Sequence, residues 1–264
     1  MKKFLTVALA GVLAASMLFT GCSKKAESKV PDKLIVGTNA EFPPFEYMND
    51  KKQPEGFDIA MIKEIGKRMD KKVEIQNMEF KSLIGAMESD SINAIIAGMT
   101  KTEKREKAVD FSDSYYTTNQ AIILKKDSKI TKLAQLDGKK IGVQEGTTGD
   151  LISSGDKFGD GKKAKVLVKG AKVKRFKKGV DAVMDLKNGS VDAVVIDELT
   201  ANEFVKKNAK KLKIVIDSAG SEYYCIALTK GNTAYKEEVS KQIKAIKEDG
   251  TYDKLKAKYI DSKN

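Results

Sequence analysis

The octet SINAIIAG at residues 91–98 returns at residues 190–197 as SVDAVVID, with the same order of polar and apolar positions over its first seven residues. Each octet follows an amphipathic segment that is typical of a helix. Short apolar runs rich in β-branched residues are typical of buried strands in parallel sheets. The echo therefore predicts that the chain contains two similarly built halves.

Short β-branched runs alternate with longer amphipathic runs around both octets. In the first half the order LIVGT, GFDIAMIKEIGKRM, KVEIQNM, FKSLIGAMES, INAIIAGM predicts strand, helix, strand, helix, strand. The second half repeats this order with KKIGVQEG, TTGDLISS, KVLVKG, VDAVMDLKNG and VDAVVIDE. Such alternation predicts an α/β fold of two lobes, each a mostly parallel sheet flanked by helices.

Two extended, aromatic-rich segments are predicted to cross between the lobes: FSDSYYTTNQAIILKK, and YYCIALTKG near residue 225. The segment EEVSKQIKAIKEDGTYDKLKAKYI is predicted to be a C-terminal helix that returns to the first lobe. The first lobe is then discontinuous, with residues 33–116 and 224–264, and the second lobe takes residues 117–223.

The N-terminal segment MKKFLTVALAGVLAASMLFTGC has the layout of a secretory signal, with two lysines before an apolar run of roughly 15 residues. It predicts a signal peptide over residues 1–21. The end of the segment, LFTGC, resembles the lipobox of bacterial lipoproteins, which implies that Cys22 is lipidated, as with palmitate. An ordinary signal peptide or a buried cysteine is the alternative. Residues 22–32 are predicted to form a flexible tether.

Composition excludes several classes of site. The chain has no histidine and two cysteines, Cys22 and Cys225, which rules out Ser-His-Asp and Cys-His catalytic arrangements and zinc sites with imidazole ligands. No cofactor or metal is predicted. The net charge of +12 is spread over lysines interleaved with acids, and only 7% of residues are aromatic, unlike the clustered charge of nucleic-acid-binding proteins.

The segment IIAGMTKTEKR at residues 95–105 ends in an unusual arginine. The chain carries 49 Lys and Arg, but its arginines are Arg68, Arg105 and Arg175, so lysine is the default for a solvated charge. Ligands of open parallel sheets bind beyond the carboxyl ends of strands, where Gly98 allows close approach and Thr100 offers a hydroxyl. Arg105 there has a planar fork suited to a carboxylate, although it could instead pair with Glu103 or Asp110.

The second half supplies complementary groups at its own strand ends. In GVQEGTTGDL, Thr147 and Thr148 stand at a predicted helix N-terminus, which favours an anion. Asp197 ends the octet SVDAVVID and suits an ammonium group, although it could instead cap the next helix. Together with Arg105 these residues describe a site for the zwitterion of an α-amino acid.

The whole chain after the signal segment resembles the polar amino-acid-binding proteins of ABC importers. The resemblance rests on the motifs GTNAEFPPFEY, GFDIAMI, IIAGMTKTEKR, VDFSDSYY, GVQEGTTG, VDAVVIDE and DGTYDKL in this order. It implies the two-lobed fold of periplasmic-binding-protein type II, with the lobes joined by two crossing strands. It also implies that Arg105 binds the ligand carboxylate, assisted by backbone and hydroxyl groups at Thr100 and Thr148.

The same resemblance implies roles for the other site residues. The Gly98 backbone, the Thr100 hydroxyl and Asp197 hold the ligand amine, and Phe42 and Phe80 flank its side chain. Members that select cationic side chains often have an acid where this chain has Asn39, and the residue matching Gln144 varies with the ligand. A cationic ligand remains an alternative, because the carboxylate of Glu46 could bind the side chain of arginine or lysine.

The function that follows is binding of a polar L-amino acid outside the cytoplasm, by closure of the cleft, and its delivery to a membrane permease. A neutral ligand such as glutamine is favoured, since Asn39 and Gln144 are both amides, and an arginine or lysine receptor is the alternative. The protein is expected to be a monomer, held to the extracytoplasmic face of the cell membrane by its lipid, and not an enzyme. A ligand-gated sensor or adhesin, or a dehydratase of cyclic carboxylates, are further readings of the same fold.

Overall fold

The computed structural model describes residues 29–155, 168–216 and 221–263. Residues 1–28, with the predicted signal peptide and Cys22, lie outside the described residues. The first part of the chain forms β1 (Lys33–Thr38), β2 (Glu41–Phe42), β3 (Glu46–Met48), β4 (Pro54–Glu55), α1 (Phe57–Arg68), β5 (Lys72–Asn77), α2 (Leu83–Glu88), β6 (Ala94–Ile95), α3 (Glu103–Glu106), β7 (Val109–Thr118) and β8 (Gln120–Lys125). The remainder forms β9 (Lys140–Gln144), α4 (Thr148–Ser154), β10 (Lys172–Phe176), α5 (Gly179–Asn188), β11 (Ala193–Asp197), α6 (Glu198–Lys206), β12 (Leu212–Ile216), β13 (Glu222–Thr229), α7 (Thr233–Glu248) and α8 (Thr251–Tyr259).

Two five-stranded sheets form the cores of two lobes, as the alternation predicts. Their strand orders are β5-β1-β6-β13-β7 and β10-β9-β11-β8-β12, and a small sheet, β2-β3-β4, joins the first lobe. In each large sheet the strands with helical crossovers pair in parallel. The strands that connect the lobes, β7, β8 and β13, pair antiparallel, so both sheets are mixed.

The sequence echo corresponds to the same local geometry in both lobes. The Asn93 Oδ1 atom accepts a hydrogen bond from the Ile35 backbone N–H at 3.0 Å, and the Asp192 Oδ2 atom accepts one from the Lys140 backbone N–H at 2.9 Å. The polar third residue of each octet therefore ties the start of β6 or β11 to the neighbouring parallel strand. The apolar residues that follow are buried in both strands.

The first lobe is completed by helices whose apolar residues recur at helical spacing. On α7 the residues Tyr235, Val239, Ile243 and Ile246 are buried, which places one face of the helix against the core. The side chain of Asn232 caps this helix by accepting a hydrogen bond from the Tyr235 backbone N–H at 3.2 Å. The helices α7 and α8 contact β7 and α1 respectively, so the C-terminal segment returns to the first lobe.

The C-terminal segment is not one helix, as predicted, but two. The chain breaks between α7 and α8 at Gly250, whose φ is 77°. This left-handed conformation is accessible to glycine and ends the helical ladder of α7. The turn lets α8 pack against α1 rather than continue along the axis of α7.

The prediction of a strand at KVLVKG is wrong for the part of this segment that the structure describes. Residues 168–170 form no strand, residues 165–167 lie outside the described residues, and the strand is β10, with the sequence KVKRF. β10 lies at the edge of the second sheet, and an edge strand tolerates exposed charged residues. Val168 contributes to the core from a turn instead, since it is buried in the apolar cluster of the second lobe.

Three features of the described chain bear on its setting and chemistry. None of its helices combines the length and the apolar character that a membrane crossing requires. Cys225 is a buried free thiol in β13. In the described residues no group of acids and thiols is arranged to hold a metal ion.

Candidate functional site

A small cavity lies between the carboxyl ends of the strands of the two lobes. Its lining includes every residue that the sequence analysis assigned to a ligand, together with Ala97. The lining residues are Asn39, Phe42, Glu46, Phe80, Ala97, Gly98, Thr100, Arg105, Gln144, Thr147, Thr148 and Asp197. The structure therefore brings residues from both halves of the chain into one enclosed space.

Arg105 is a buried guanidinium held by carbonyl groups. It lies on the short helix α3, whose cap Thr102 accepts a hydrogen bond from the Arg105 backbone N–H at 3.2 Å. Its Nη1 donates to the Thr100 carbonyl at 2.5 Å and its Nη2 to the Gly146 carbonyl at 3.0 Å. The guanidinium carbon also lies 5.3 Å from the centre of the Phe80 ring.

The charge of Arg105 lacks a direct counter-ion among the described residues. Asp110, one of its possible surface partners, pairs with Lys230 instead, at 2.9 Å, and Glu103 is exposed. Burial lowers the pKa of Arg105 to about 10, against the opposing effect of the charges on Glu222 and Asp197. A desolvated cation whose partners are only carbonyls is an anion site, because an anion compensates the charge that burial disfavours.

Asp197 is a buried carboxylate on the other side of the cavity. The Gln120 Nε2 atom donates to its Oδ1 at 2.7 Å, and the Tyr224 hydroxyl donates to its Oδ2. Asp197 precedes α6, but its side chain makes no capping hydrogen bond to that helix. Burial and then the charge of Glu222 raise the pKa of Asp197 to about 7, so a cation bound beside it would restore its ionised form.

Glu222 is a site residue that the sequence analysis missed. Its Oε2 atom accepts hydrogen bonds from the Thr100 and Thr148 hydroxyls, both at 2.7 Å. Glu222 and Tyr224 lie two residues apart on β13, so they face the same side of the strand. The sequence signal for Glu222 was this spacing of an acid and a tyrosine next to a predicted crossing strand. The spacing does not indicate which residues of the second lobe the two side chains contact.

The two amide side chains contact each other across the cleft. The Gln144 Nε2 atom donates to the Asn39 Oδ1 at 2.8 Å, and the Asn39 Nδ2 donates to the Met78 carbonyl at 2.8 Å. Gln144 Oε1 is buried and meets no hydrogen-bond donor within the described chain. The pair therefore offers an unused acceptor in the cavity.

Glu46, in the first-lobe wall of the cavity, forms a buried acidic pair with Asp58. The Asp58 Oδ2 atom accepts hydrogen bonds from the Tyr115 hydroxyl at 2.6 Å and the Gly98 backbone N–H at 2.8 Å. Burial raises the pKa of Asp58 to about 6. Burial and the neighbouring Asp58 also raise the pKa of Glu46 well above its usual range. Asp58, another residue that the sequence analysis missed, thus fixes the Gly98 turn.

The lobes are closed on each other in this structure. At the cleft rim, exposed ion pairs join Lys81 to Glu145, Lys177 to Glu79, and Lys178 to Glu41, each at 2.6 Å. Deeper in the cleft, Gln144 bonds Asn39 and Arg105 bonds the Gly146 carbonyl. The cavity is therefore complete only when both lobes contribute.

The chain matches known proteins over nearly its full described length. The family model "Bacterial extracellular solute-binding proteins, family 3" covers residues 34–262. The arginine-binding extracellular protein ArtP of Bacillus subtilis (strain 168) is 33% identical over 263 residues, covering 98% of both chains.

Solved structures agree with this match. An ancestral arginine-binding protein, 41% identical, has been solved with arginine, at a TM-score of 0.78 over 88% of this chain and 100% of that one. An ancestral arginine-binding protein bound to glutamine, also 41% identical, has a TM-score of 0.79 over 88% of this chain and 99% of that one. An ancestral amino-acid-binding protein described as a precursor of cyclohexadienyl dehydratase is 32% identical, with a TM-score of 0.76 over 86% and 95%.

Proposed function

Because this chain belongs to family 3 of the bacterial extracellular solute-binding proteins, we propose that it binds a polar L-amino acid and delivers it to the permease of an ABC importer. The observation that carries the proposal is the placement of a buried guanidinium, Arg105, and a buried carboxylate, Asp197, in one small closed cavity. A zwitterion supplies the opposite charge to each. Neither charge is then left uncompensated when the lobes close.

Our proposal for the ligand side chain is a neutral polar group, with glutamine favoured. The cavity presents the free acceptor of Gln144 beside Asn39, and a carboxamide can donate to it and accept in turn. Burial keeps Glu46 towards its neutral form, so it does not demand a cation. The aromatic rings of Phe42 and Phe80 in the lining suit an aliphatic stem.

Arginine is the second candidate, and Glu46 is the observation that favours it. Glu46 lines the cavity and is fully buried, so a guanidinium would draw it into its ionised form and form a charge-assisted hydrogen bond. Several similar proteins are named for arginine. Arginine binding through Glu46 would release a proton, whereas glutamine binding would not require that proton to leave.

A thermal-shift screen against the common L-amino acids tests the proposal. A ligand present at about 100 times its dissociation constant stabilises the folded protein by about 2.7 kcal/mol. We expect one clear shift, and calorimetric competition among glutamine, arginine, lysine, histidine and glutamate then ranks the side chains. The absence of any shift would contradict the function, and a preference for arginine or lysine would contradict the glutamine assignment.

We propose that the protein releases its ligand chemically unchanged. Asp197 accepts hydrogen bonds from Tyr224 and Gln120, and Glu222 accepts them from the two threonine hydroxyls, which suits holding charge rather than transferring protons. Recovery of intact amino acid after long incubation is expected. A new product in the mass spectrum would favour a dehydratase instead.

The membrane attachment is proposed from the LFTGC motif alone. Lipidation of Cys22 would hold a monomer at the extracytoplasmic face of the membrane, where lobe closure presents the ligand to the permease. Labelled palmitate should be incorporated by the wild type and not by a Cys22→Ser variant. Equal release of both forms into the medium would contradict the lipid anchor at Cys22. Ligand binding without any permease partner would favour a sensor over a transport protein.

A further inference from the structure

The carboxylate of Glu222 controls the only proton of each of two threonine hydroxyls in the cavity. A threonine hydroxyl has one O–H to donate and two lone pairs that accept. Thr100 belongs to the first lobe and Thr148 to the second, and both give their proton to the same atom, Glu222 Oε2, at 2.7 Å. Neither hydroxyl therefore retains a proton for a ligand.

The remaining lone pairs of these hydroxyls can only accept. One lone pair of the Thr148 Oγ1 already accepts from the Gln120 Nε2 at 3.2 Å. Gln120 Nε2 also donates to Asp197, so a continuous set of acceptors runs from Glu222 through the hydroxyls to Asp197. A group that carries several N–H donors matches such a set, whereas a hydroxyl has only one O–H to donate and a carbonyl oxygen has none.

The charges on this side of the cavity also favour a ligand group that carries N–H donors and a positive charge. Glu222 is half-buried and Asp197 is buried, and each is close enough to influence the pKa of Arg105 upward. Two carboxylates thus face a single guanidinium. A bound carboxylate neutralises Arg105, and the remaining negative charge favours a cationic neighbour on the ligand.

We propose that Glu222 is the positioning residue that makes the site specific for an α-ammonium group, because it turns the Thr100 and Thr148 hydroxyls into acceptors. This inference rests on the proposed amino-acid binding and deepens it. Glu222 acts through the two hydroxyls, so its removal should alter which ligands bind more than how stable the fold is. The relevant comparison is an amino acid against its 2-hydroxy counterpart, which keeps the carboxylate and side chain but replaces the ammonium.

The test measures dissociation constants of L-glutamine, L-arginine and their 2-hydroxy counterparts for wild type and Glu222→Gln. The amide is uncharged, and its NH₂ donates, so at least one hydroxyl regains its proton for the ligand. We expect the preference for the amino acid over its 2-hydroxy counterpart to fall at least about 10-fold. Glu79→Gln is the matched control, since Glu79 loses the same charge at the cleft rim, and its preference should stay as in wild type.

A second variant guards against misfolding. Glu222→Asp keeps the charge, but its side chain is one methylene too short to reach both hydroxyls. Its preference for the amino acid over the 2-hydroxy counterpart should therefore fall between those of the wild type and Glu222→Gln. Equal weakening of both ligand types in Glu222→Gln and Glu222→Asp would overturn the inference, since Glu222 would then only bridge the lobes. A wild type that binds no amino acid would overturn the proposed function together with the inference, whereas a binding wild type with an unchanged preference in both variants overturns the inference alone.

Discussion

At the scale of single residues, Arg105 is the group whose geometry matters as much as its charge. Its Nη1 and Nη2 atoms are fixed by the Thr100 and Gly146 carbonyls, which aims the remaining N–H donors of the planar fork. A lysine ammonium would carry the same charge on a flexible stem without that fork. The conservative substitution at this position is therefore not conservative for binding.

Arg105→Lys should weaken amino-acid binding by at least about 30-fold, corresponding to about 2 kcal/mol for a damaged buried charge pair. Calorimetry with the ligand found in the screen measures it. Arg68→Lys is the control, because Arg68 pairs with Glu64 and Asp249 away from the cleft, and its affinity should match wild type. An unchanged dissociation constant for folded Arg105→Lys would contradict the carboxylate assignment.

Asp197 should make binding dependent on pH. In the ligand-free protein its pKa is raised to about 7, while an ammonium partner requires the ionised form. Below that pH a proton must leave when ligand binds, so affinity should fall as the pH is lowered from about 8 to about 5, by up to about 10-fold per unit for one proton.

Asp197→Asn should bind more weakly at about pH 8, and its pH profile should lose one proton's worth of slope. Asp58 and Glu46 also titrate with raised pKa values, so a remaining slope would belong to them. Calorimetry in two buffers of different ionisation enthalpy counts the protons released. Profiles of the same slope in both forms would show that Asp197 does not hold the amine.

The residues predicted from the sequence all line the cavity. Gly98, Thr148 and Asp197 are found from the local pattern together with the rule that ligands bind beyond carboxyl ends, whereas Asn39, Phe80 and Gln144 are implied by the resemblance. Glu222, Tyr224, Gln120 and Asp58 were missed for a different reason. They come from crossing strands and from α1, and their partners lie on other elements that are distant in sequence, which no local pattern encodes.

At the scale of elements, the packing of α4 on β11 positions Thr148. A Cβ atom added to Gly149 would lie 2.7 Å from the Val195 carbonyl oxygen, so the helix lies against the strand at a distance that only glycine allows. Any larger residue must move either the backbone of the helix or that of a central strand.

Gly149→Ala should lower the free energy of unfolding by about 1–3 kcal/mol, as overpacking does, and weaken ligand binding because Thr148 moves with the helix. Gly85→Ala in α2 is the matched control, since nothing lies within 4 Å of its added Cβ. It should stabilise the protein by about 0.5–1 kcal/mol. Denaturant unfolding measures both, and equal effects of the two substitutions would contradict the packing argument.

The two incorrect element predictions have different physical causes. The apolar run KVLVKG is predicted as a strand because strand propensity rewards residues that can be buried, whereas β10, with the sequence KVKRF, lies at the sheet edge and needs few of them. The periodic C-terminal segment reads as one helix, yet a single glycine at φ 77° divides it. Tertiary position decides the first case, and the backbone conformation of one glycine decides the second.

At the scale of the whole molecule, the closed arrangement of the lobes is expected to depend on ligand. The ion pairs at the rim are exposed, and each contributes only about 0–1 kcal/mol. Arg105 and Asp197, by contrast, are costly to bury without an opposite charge. Closure without ligand therefore takes two charges out of water without giving either a direct ion-pair partner, for little gain.

X-ray scattering should accordingly show a larger radius of gyration without ligand than with saturating amino acid. Glu79→Gln should leave the ligand-induced decrease intact, because it removes only one rim pair. Arg105→Lys at the same ligand concentration should remain near the larger radius. Profiles that superimpose for the wild type with and without ligand would indicate a rigid module.

The route of the chain through the two sheets also determines how the molecule would respond to tension. The strands β8 to β12 follow one another between β7 and β13, and those two strands are direct neighbours in the first sheet, with Glu222 opposite Thr118. The second lobe is thus an insertion whose two ends are held together by the pairing of β7 and β13. A force applied between residue 33 and residue 259 therefore acts only on the first lobe. In an optical trap the first lobe should yield first, and the second should feel the force only after β7 and β13 have separated.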